Sequence, residues 1–240
     1  MRGMSPVLTI DRRFNGPPDS ANGGYLSGRL AALLSGGLPG ADPVAVTLRK
    51  PPPLAEPLTV IDGEPGLRLS RADTLIAEAA PADLTSATVE PVSADEAAAA
   101  ARHYGGLVEH PFPTCFVCGL ARPARDGLRL QPGLLPDRAD TTAALWRPDA
   151  SLADRGRVRP EFVWAALDCP GGWTVDLVGR PMVLGRMTAQ VRAVPDVGEP
   201  CVVVGRLNGR DGRKAFTTTT GYGADDRILG QADAIWIAIT

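Results

Sequence analysis

The same order of elements occurs twice along this chain, and the repetition limits the folds that it can adopt. In each half a helix precedes a series of short strands, and the second strand after the helix is introduced by Glu-Pro, at Glu56-Pro57 and at Glu199-Pro200. Two copies of one supersecondary unit in a chain can pack against each other as the subunits of a symmetric dimer do. The pattern therefore predicts an α+β chain with a boundary near residue 105, which separates 1–104 from 105–240.

The helix of the first half is predicted to begin after Asn22 and to end at Gly36. Asn22 is a suitable N-cap, and glycine commonly ends helices. Leucines at helical spacing indicate one buried face, and they are Leu26, Leu30, Leu33 and Leu34. From residue 43 to about residue 80 the pattern changes to four short β-like runs separated by turn residues. This part of the chain predicts an antiparallel meander.

The helix of the second half is predicted to begin at Pro160 and to continue to about Asp168. Proline is favoured in the first turn of a helix, where its missing N–H has no partner to lose. Residues 162–167 are apolar on every face, which is typical of a helix surrounded by protein. Asp168 then places a carboxylate near the negative end of the helix dipole, where burial of a charge needs compensation or serves a function. Gly171 and Gly172 are expected to end the helix.

The remaining segments complete the predicted second half. Residues 93–106 have the alanine-rich composition of a connecting helix. Residues 127–133 and 141–148 are predicted to be strands that precede the second helix. Four further strands are predicted between residue 185 and residue 239, separated by turns such as Asn208 to Arg213.

Composition excludes several classes of partner. A net charge of −2 provides no basic field for nucleic acid, and no run of 18 apolar residues indicates a membrane span. The N-terminal stretch lacks the apolar core of a signal peptide, so we expect a cytoplasmic protein. With 4 cysteines in 240 residues, no disulfide framework is predicted.

Two short strings carry a resemblance to a known family. Asn22-Gly23-Gly24 resembles the His-Gly-Gly or Asn-Gly-Gly start of the hotdog helix. Residues 115–119, Cys-Phe-Val-Cys-Gly, with Gly127-Leu128 after them, are similar to the segment that leads into the first strand of many hotdog thioesterases. The chain thus resembles the double hotdog proteins of the acyl-CoA thioesterase superfamily. The resemblance implies two tandem hotdog units, each a long central helix wrapped by an antiparallel sheet, packed as an intrachain pseudo-dimer.

The resemblance also implies a single, asymmetric site. In that family a catalytic Asp commonly lies seven residues after the second glycine, and this position is Ala31 in the first half. The second half begins its helix with Arg159-Pro160-Glu161, which lacks the glycines, but Asp168 occupies the acid position. Because hotdog sites form between two units, the start of one helix faces the acid of the other. The implied site therefore combines Asn22, Gly23 and Gly24 with Asp168, and Asn22 stands where many relatives have His.

These residues suit thioester hydrolysis. Backbone N–H groups of Gly23 and Gly24 at a helix start would polarise the carbonyl, and Asn22 would add a donor or position water. Asp168 would act as general base or as nucleophile, and the sequence leaves both roles open. The structural alternative is an ordinary N-cap followed by flexible glycines, with an Asp that bonds local backbone.

The resemblance implies an acyl-CoA or similar thioester as substrate, with coenzyme A as part of the substrate and no other cofactor, and assembly into a homo-oligomer. The alternative function is a hotdog protein that binds an acyl ligand without hydrolysing it, and a degenerate scaffold is a third possibility. The sequence contains no Gly-x-Ser-x-Gly, which disfavours a serine hydrolase. Its histidines, His103 and His110, lie between the two halves, which disfavours the hydratases of the fold.

The Cys115-x-x-Cys118 pair permits two interpretations. With His110 and either Cys169 or Cys201, four zinc ligands can be written down. A second close pair of ligands is absent, however, and a lone C-x-x-C is a weak signal. The sequence therefore favours packed, reduced thiols and no metal.

Overall fold

The computed structural model describes residues 6–239, which form a large antiparallel sheet and four short to medium helices. The helices are α1 (Gly23–Ser35), α2 (Ala94–Ala100), α3 (Pro160–Ala166) and α4 (Cys169–Gly172). The strands are β1 (Val7–Thr9), β2 (Val44–Leu48), β3 (Pro57–Asp62), β4 (Leu67–Arg71), β5 (Thr74–Pro81), β6 (Gly133–Leu134), β7 (Thr141–Trp146), β8 (Ala153–Asp154), β9 (Arg157–Val158), β10 (Met182–Val191), β11 (Cys201–Asp211), β12 (Lys214–Tyr222) and β13 (Ile228–Ala238). The predicted α+β class is confirmed.

Eleven strands form one sheet in the order β1-β3-β4-β5-β2-β10-β13-β12-β11-β7-β6. The strands of the two halves meet where β2 pairs with β10, with Thr47 opposite Arg186 and Val44 opposite Ala189. In each half a helix is followed by four antiparallel strands, α1 by β2 to β5 and α3 by β10 to β13. The order of elements is thus the one that the sequence predicts, whereas the division at residue 105 stays a prediction.

Helix α1 has the boundaries that its sequence predicts. The side chain of Asn22 accepts a hydrogen bond from the N–H of Tyr25, and Gly36 ends the helix in the left-handed conformation with φ of 78°. Leu26 and Leu30 are completely buried. The helix contacts strands β2 and β10, which places it at the junction of the two half-sheets. Within residues 6–239 no helix combines the length and the hydropathy of a membrane span.

The predicted helix at 160–168 is divided by a kink. Helix α3 ends at Ala166, and α4 begins at Cys169. Pro170 accounts for the break, because its ring would clash with the carbonyl of the residue four positions earlier, which is Ala166. Gly171 and Gly172 are the last residues of α4, in agreement with the predicted end. Asp168 consequently lies at the kink between two helices.

The second half-sheet is covered on both faces. Strand β12 contains four consecutive threonines that are all buried. Thr217 and Thr219 lie next to Gly171 of α4, whereas Thr220 accepts a hydrogen bond from the N–H of Val89 on the opposite face. The segment after β5 and helix α2 therefore cross the outer face of the second half-sheet. The four threonines do not alternate between polar and apolar residues. They still form a strand because both faces of the sheet are buried here.

The connecting helix α2 begins with a capping box. The Ser93 hydroxyl accepts from the N–H of Glu96 at 3.2 Å, and the Glu96 carboxylate accepts from the N–H of Ser93 at 2.8 Å. The two buried alanines of the helix, Ala97 and Ala100, pack against Ala143 and the valines of β11. The helix predicted from composition is confirmed, and it contacts the half-sheet that follows it in sequence.

Replacing Ser93 with Ala is expected to lower the free energy of unfolding by about 1 kcal/mol, because the hydroxyl that accepts from the Glu96 N–H and donates to the Glu96 carboxylate is lost. Activity should not change, since α2 packs on the outer face of the sheet. Chemical denaturation monitored by circular dichroism measures the effect. Ser86→Ala is the matched control, because the Ser86 hydroxyl makes no hydrogen bond among residues 6–239. Equal losses in both variants would contradict a capping role.

The strand predicted at 127–133 is wrong except for Gly133, which belongs to β6. The N–H groups of Leu128 and Leu130 do bond the carbonyls of Phe116 and Val117, both at 2.8 Å. Between them Arg129 has a φ of 53°, a left-handed conformation that interrupts an extended strand. The alternating apolar residues therefore mark a buried irregular segment.

Candidate functional site

The site begins with an unusually close contact between α1 and α3. A Cβ atom added to Gly24 would lie 2.6 Å from Cβ of Asp168 and 2.8 Å from the carbonyl oxygen of Trp164. A Cβ added to Gly28 would lie 2.8 Å from Cβ of Trp164. Only glycine fits at these two positions without a shift of α3. The approach brings the start of α1 next to the kink after α3, although these parts are 144 residues apart in sequence.

The carboxylate of Asp168 faces the start of α1. Its Oδ2 accepts a hydrogen bond from Nδ2 of Asn22 at 2.9 Å and another from the backbone N–H of Gly24 at 3.0 Å. The C-terminal end of α3 carries partial negative charge, which disfavours a carboxylate there. The N-terminal end of α1 carries partial positive charge, which compensates for this effect. Asp168 makes no salt bridge within the described part of the chain. The structure thus brings together Asp168, Asn22 and Gly24.

The second oxygen of Asp168 has no partner. Oδ1 is buried and makes no hydrogen bond to any described residue. Burial raises the pKa of Asp168 to about 7, while the bonds from the Gly24 N–H and the Asn22 amide act in the opposite direction. A buried carboxyl with one satisfied and one free oxygen, and a pKa near neutrality, is the arrangement found for general bases.

Asn22 performs two tasks at once. Its Oδ1 accepts from the N–H of Tyr25 and caps α1, while its Nδ2 donates to Asp168. The N-cap interpretation and the site interpretation are therefore compatible. These two bonds also fix which amide atom is oxygen, because only the oxygen can accept from a backbone N–H.

The two glycine N–H groups differ in their surroundings. That of Gly24 donates to Asp168, as described above. That of Gly23 has no acceptor among residues 6–239, and Gly23 lines a cavity. At the first turn of a helix such an N–H has no partner within the helix. The Gly23 N–H is therefore the one available to a bound molecule.

This cavity, which we call the main cavity, has a volume of about 510 Å³. Its polar wall contains Asn22, Gly23 and Asp168. Its apolar wall contains Trp173, Leu177, Met182, Leu184, Trp236 and Ile237. Arg49 and Lys50 are exposed at its rim. Trp173 and Trp236 are buried, and they form part of this wall.

The corresponding place at the opposite ends of the two helices is nearly filled. A cavity of only about 30 Å³ lies there, lined by Ala31, Pro160 and Trp164 among others. These are the positions at which the sequence lacks the acid in one half and the glycines in the other. At this pair of helices, the residues that resemble a working site line the large cavity. The residues that lack this resemblance line the small cavity.

Three cysteines meet at the wall of the main cavity. Cys115, Cys118 and Cys169 are buried, and their Sγ atoms lie within 4.8 Å of one another. Cys201 lies outside this group. His110 lines the same cavity, and its Nε2 is buried without a partner among the described residues. The sequence suggested Cys169 only as one of two distant possibilities, because a residue in the second helix is not visibly close to the C-x-x-C segment.

Comparisons with known proteins identify the fold. A hotdog-fold protein of unknown function from Alicyclobacillus acidocaldarius is 12% identical, with a TM-score of 0.62 over 100% of this chain and 95% of the other. A tesB protein from Mycobacterium avium subsp. paratuberculosis is 12% identical, with a TM-score of 0.61 over 98% and 92% of the two chains. A candidate thioesterase from Novosphingobium aromaticivorans is 10% identical, with a TM-score of 0.60 over 96% and 94%.

These similarities extend over nearly the whole chain and show that it has the hotdog fold. No protein-family model matches the sequence. No curated protein matches it either. The expected fold is thus confirmed, while the chemistry has to be argued from the site.

Proposed function

We propose that this protein hydrolyses an acyl thioester, with acyl-CoA as the substrate class. The observation that carries the proposal is the placement of Asp168 at the polar wall of the main cavity, with Oδ2 held by Asn22 and Gly24 and Oδ1 free. A merely structural Asp at a helix end would bond local backbone or an arginine. Here both donors come from the other half of the chain.

The groups match the needs of the reaction. The Gly23 N–H, at the positive end of α1, would bind the thioester oxygen and stabilise the negative charge that develops on it. Asp168 Oδ1 would take a proton from water as the water attacks the carbonyl carbon. The tetrahedral intermediate would then expel the thiolate, which receives a proton to give the free thiol and the carboxylic acid.

Direct attack by Asp168 is the second route within the same proposal. Oδ1 would attack the carbonyl carbon, the C–S bond would break, and the thiolate would leave and take a proton from solvent. Water would then hydrolyse the resulting mixed anhydride, which gives the carboxylic acid and regenerates the Asp168 carboxylate. In both routes the Gly24 N–H and the Asn22 amide hold Oδ2, so they orient the carboxylate toward the cavity.

The main cavity suits an apolar acyl group. Tryptophan, leucine, methionine and isoleucine side chains form most of its wall, and a volume of about 510 Å³ is in the range of pockets for small ligands. Lys50 at the rim places positive charge where the phosphates of coenzyme A would extend into solvent, whereas the Arg49 guanidinium is paired with Glu78 at 2.8 Å. Assembly of this protein into a homo-oligomer stays a prediction.

The alternative function is binding of an acyl ligand without hydrolysis. An acid that is tied up away from the helix start, for example in an ion pair, would favour this alternative. The absence of a salt bridge to Asp168 among residues 6–239 and the free Oδ1 favour hydrolysis instead.

A hydrolysis screen tests the proposal. The purified protein is incubated with short-chain, long-chain and aromatic CoA thioesters, and the released thiol is measured with a chromogenic disulfide. We expect the protein to hydrolyse at least one of these classes of thioester, and we expect this hydrolysis to depend on Asp168. If no thioester is hydrolysed while acyl-CoA binds with measurable heat in calorimetry, the binding alternative is correct.

Replacing Asn22 with Ser separates its two tasks. Serine is a good N-cap, so α1 should keep its stability within about 0.5 kcal/mol. The bond from Nδ2 to Asp168 is lost, so the carboxylate is held less firmly, and we expect kcat to fall by about 10- to 100-fold because small misplacements of reacting groups are costly. Steady-state kinetics and thermal denaturation measure the two effects. Asn208→Ser, in strand β11, is the matched control. Unchanged kcat in Asn22→Ser would mean that Asn22 acts only as a helix cap.

A further inference from the structure

The cluster of Cys115, Cys118 and Cys169 has the geometry of a metal site. Two of these residues lie in the irregular segment between α2 and β6, and Cys169 is the first residue of α4. Their Sγ atoms come from parts of the chain that are 54 residues apart, yet those of Cys115 and Cys169 are separated by only 3.9 Å. In a tetrahedral zinc site with Zn–S bonds of 2.3 Å, neighbouring sulfur atoms lie about 3.8 Å apart.

The third thiol completes one face of such a tetrahedron. All pairs of Sγ atoms in the cluster are within 4.8 Å, and all three residues are buried. Small movements of the side chains would bring every pair to the spacing of zinc ligands. Because all three cysteines line the main cavity, the fourth position is open to a ligand from that side.

One further buried nitrogen lies on the wall of the same cavity. The Nε2 of His110 is buried and without a hydrogen bond among the described residues, and His110 lines the same cavity. Its other nitrogen, Nδ1, accepts from the N–H of Phe112 at 2.9 Å, which leaves Nε2 to carry the ring hydrogen or bind a metal.

The segment that carries the C-x-x-C pair lacks regular secondary structure, so a bound metal ion would stabilise it. Residues 108–132 contain no helix or strand, although Phe116 and Val117 within them are completely buried. Loops of this length without secondary structure are uncommon in compact domains. A metal ion would cross-link this segment to α4, and so to the peptide that carries Asp168.

We propose that Cys115, Cys118 and Cys169 bind one Zn²⁺ ion as thiolates. The three thiols lose their protons on binding, and these protons pass to solvent, so no oxidant or reductant is needed. The fourth position is taken by a water molecule from the cavity, or by His110 after its ring moves, since among residues 6–239 the cluster within 4.8 Å contains only the three thiols. The ion holds the kink at Asp168 against the irregular segment and is a structural element beside the proposed reaction site. This inference does not depend on thioester hydrolysis.

Metal content tests the proposal directly. Protein purified without chelator from zinc-supplemented cells should contain about one zinc ion per chain by mass spectrometry of the metal. Removal of zinc under reducing conditions should lower the melting temperature by about 5 °C or more, and added zinc should restore it. Cobalt(II) added to the reduced, zinc-free protein should give thiolate-to-cobalt charge-transfer absorption that saturates at about one equivalent.

Substitutions identify the ligands. Cys115→Ser, Cys118→Ser and Cys169→Ser should each lower the zinc content at least tenfold, roughly the effect of removing an inner ligand or its support. Cys201→Ser is the matched control, because the Cys201 thiol donates only to the carbonyl of Glu199, a bond that serine can keep. If a ligand variant fails to fold, the cobalt titration of the unmodified chain still decides. Absence of both zinc and the charge-transfer band overturns the proposal, as does equal loss of zinc in Cys201→Ser.

Discussion

Replacing Asp168 with Asn is expected to abolish thioester hydrolysis while the fold survives. Asparagine cannot take a proton from water and is no nucleophile, so both proposed routes fail. Positioned general bases contribute about 10²- to 10⁴-fold to rate, and we expect kcat to fall by at least about 10²-fold. The measurement is release of free thiol from the best CoA thioester found in the substrate screen.

The structure explains why the fold should tolerate this change. A single oxygen, Oδ2, receives both hydrogen bonds at the site, from Asn22 at 2.9 Å and from Gly24 at 3.0 Å. The amide oxygen of asparagine can accept the same two bonds. The amide NH₂ group then takes the place of Oδ1, which has no partner to lose. Removing a carboxylate from a buried position also removes the cost of burying its charge.

Binding measurements complete the test. Asp168→Asn should still bind acyl-CoA or a non-hydrolysable thioether analogue with an unchanged dissociation constant, because the apolar wall of the main cavity is intact. Asp137→Asn, which alters an exposed acid in the turn before β7, is the control and should retain full turnover. Full turnover by Asp168→Asn would remove Asp168 from the mechanism.

The local elements could be predicted because their causes are local. Asn22 and Gly36 mark the ends of α1 by capping chemistry, and strands β2 to β5 lie between turn residues as expected. The failure at 127–133 has a local cause as well. Arg129 adopts a left-handed conformation that ordinary residues seldom show, and nothing in the amino-acid types there announces it.

The site itself is non-local, and only its halves were visible in the sequence. Asp168 attracted notice as an acid after an apolar helix, and Asn22-Gly23-Gly24 as a helix start. Their contact depends on the packing of α1 against α3, which periodicity does not specify. The resemblance to hotdog proteins supplied the pairing. The same packing explains why Cys169 joins the C-x-x-C segment, since the kink at Pro170 turns the start of α4 toward it.

The asymmetry of the helix pair has a physical basis in side-chain size. At one end glycine at position 24 leaves room for Asp168, and the polar groups reach the main cavity. At the other end the side chain of Trp164 lies against Gly28 and occupies the space beside Ala31 and Pro160. A second acid at position 31 would face tryptophan and proline rather than free N–H groups. Among residues 6–239, the packing of this helix pair therefore supports the proposed site at one end and leaves no room for a second at the other.

Gly24→Ala is expected to destabilise the protein and to disturb the proposed site, although alanine is the better helix former. Alanine favours helices over glycine by about 1 kcal/mol, so local propensity alone would stabilise α1. The added Cβ, however, would lie 2.6 Å from Cβ of Asp168 and 2.8 Å from the backbone carbonyl of Trp164, which cannot rotate away. Overpacking of this kind costs about 1–3 kcal/mol or more. The net change in the free energy of unfolding should thus be a loss.

The same methyl group should disturb the proposed chemistry. It pushes on the carbon that carries the Asp168 carboxylate, so we expect the bond from the Gly24 N–H to lengthen and the carboxylate to rotate. We expect kcat to fall by at least about tenfold, since small misplacements of reacting groups are costly. Urea denaturation measures the loss of stability. Steady-state kinetics, under conditions in which the variant is folded, measure the loss of kcat.

Gly209→Ala provides the comparison. Gly209 lies in β11 with no atom within 4 Å of an added Cβ, so its substitution should change stability by no more than about 0.5 kcal/mol and leave kcat intact. A Gly24→Ala variant as stable as Gly209→Ala would mean that α1 and α3 are farther apart than described. The hydrogen bond between Gly24 and Asp168, and with it the proposed orientation of the acid, would then be lost as well.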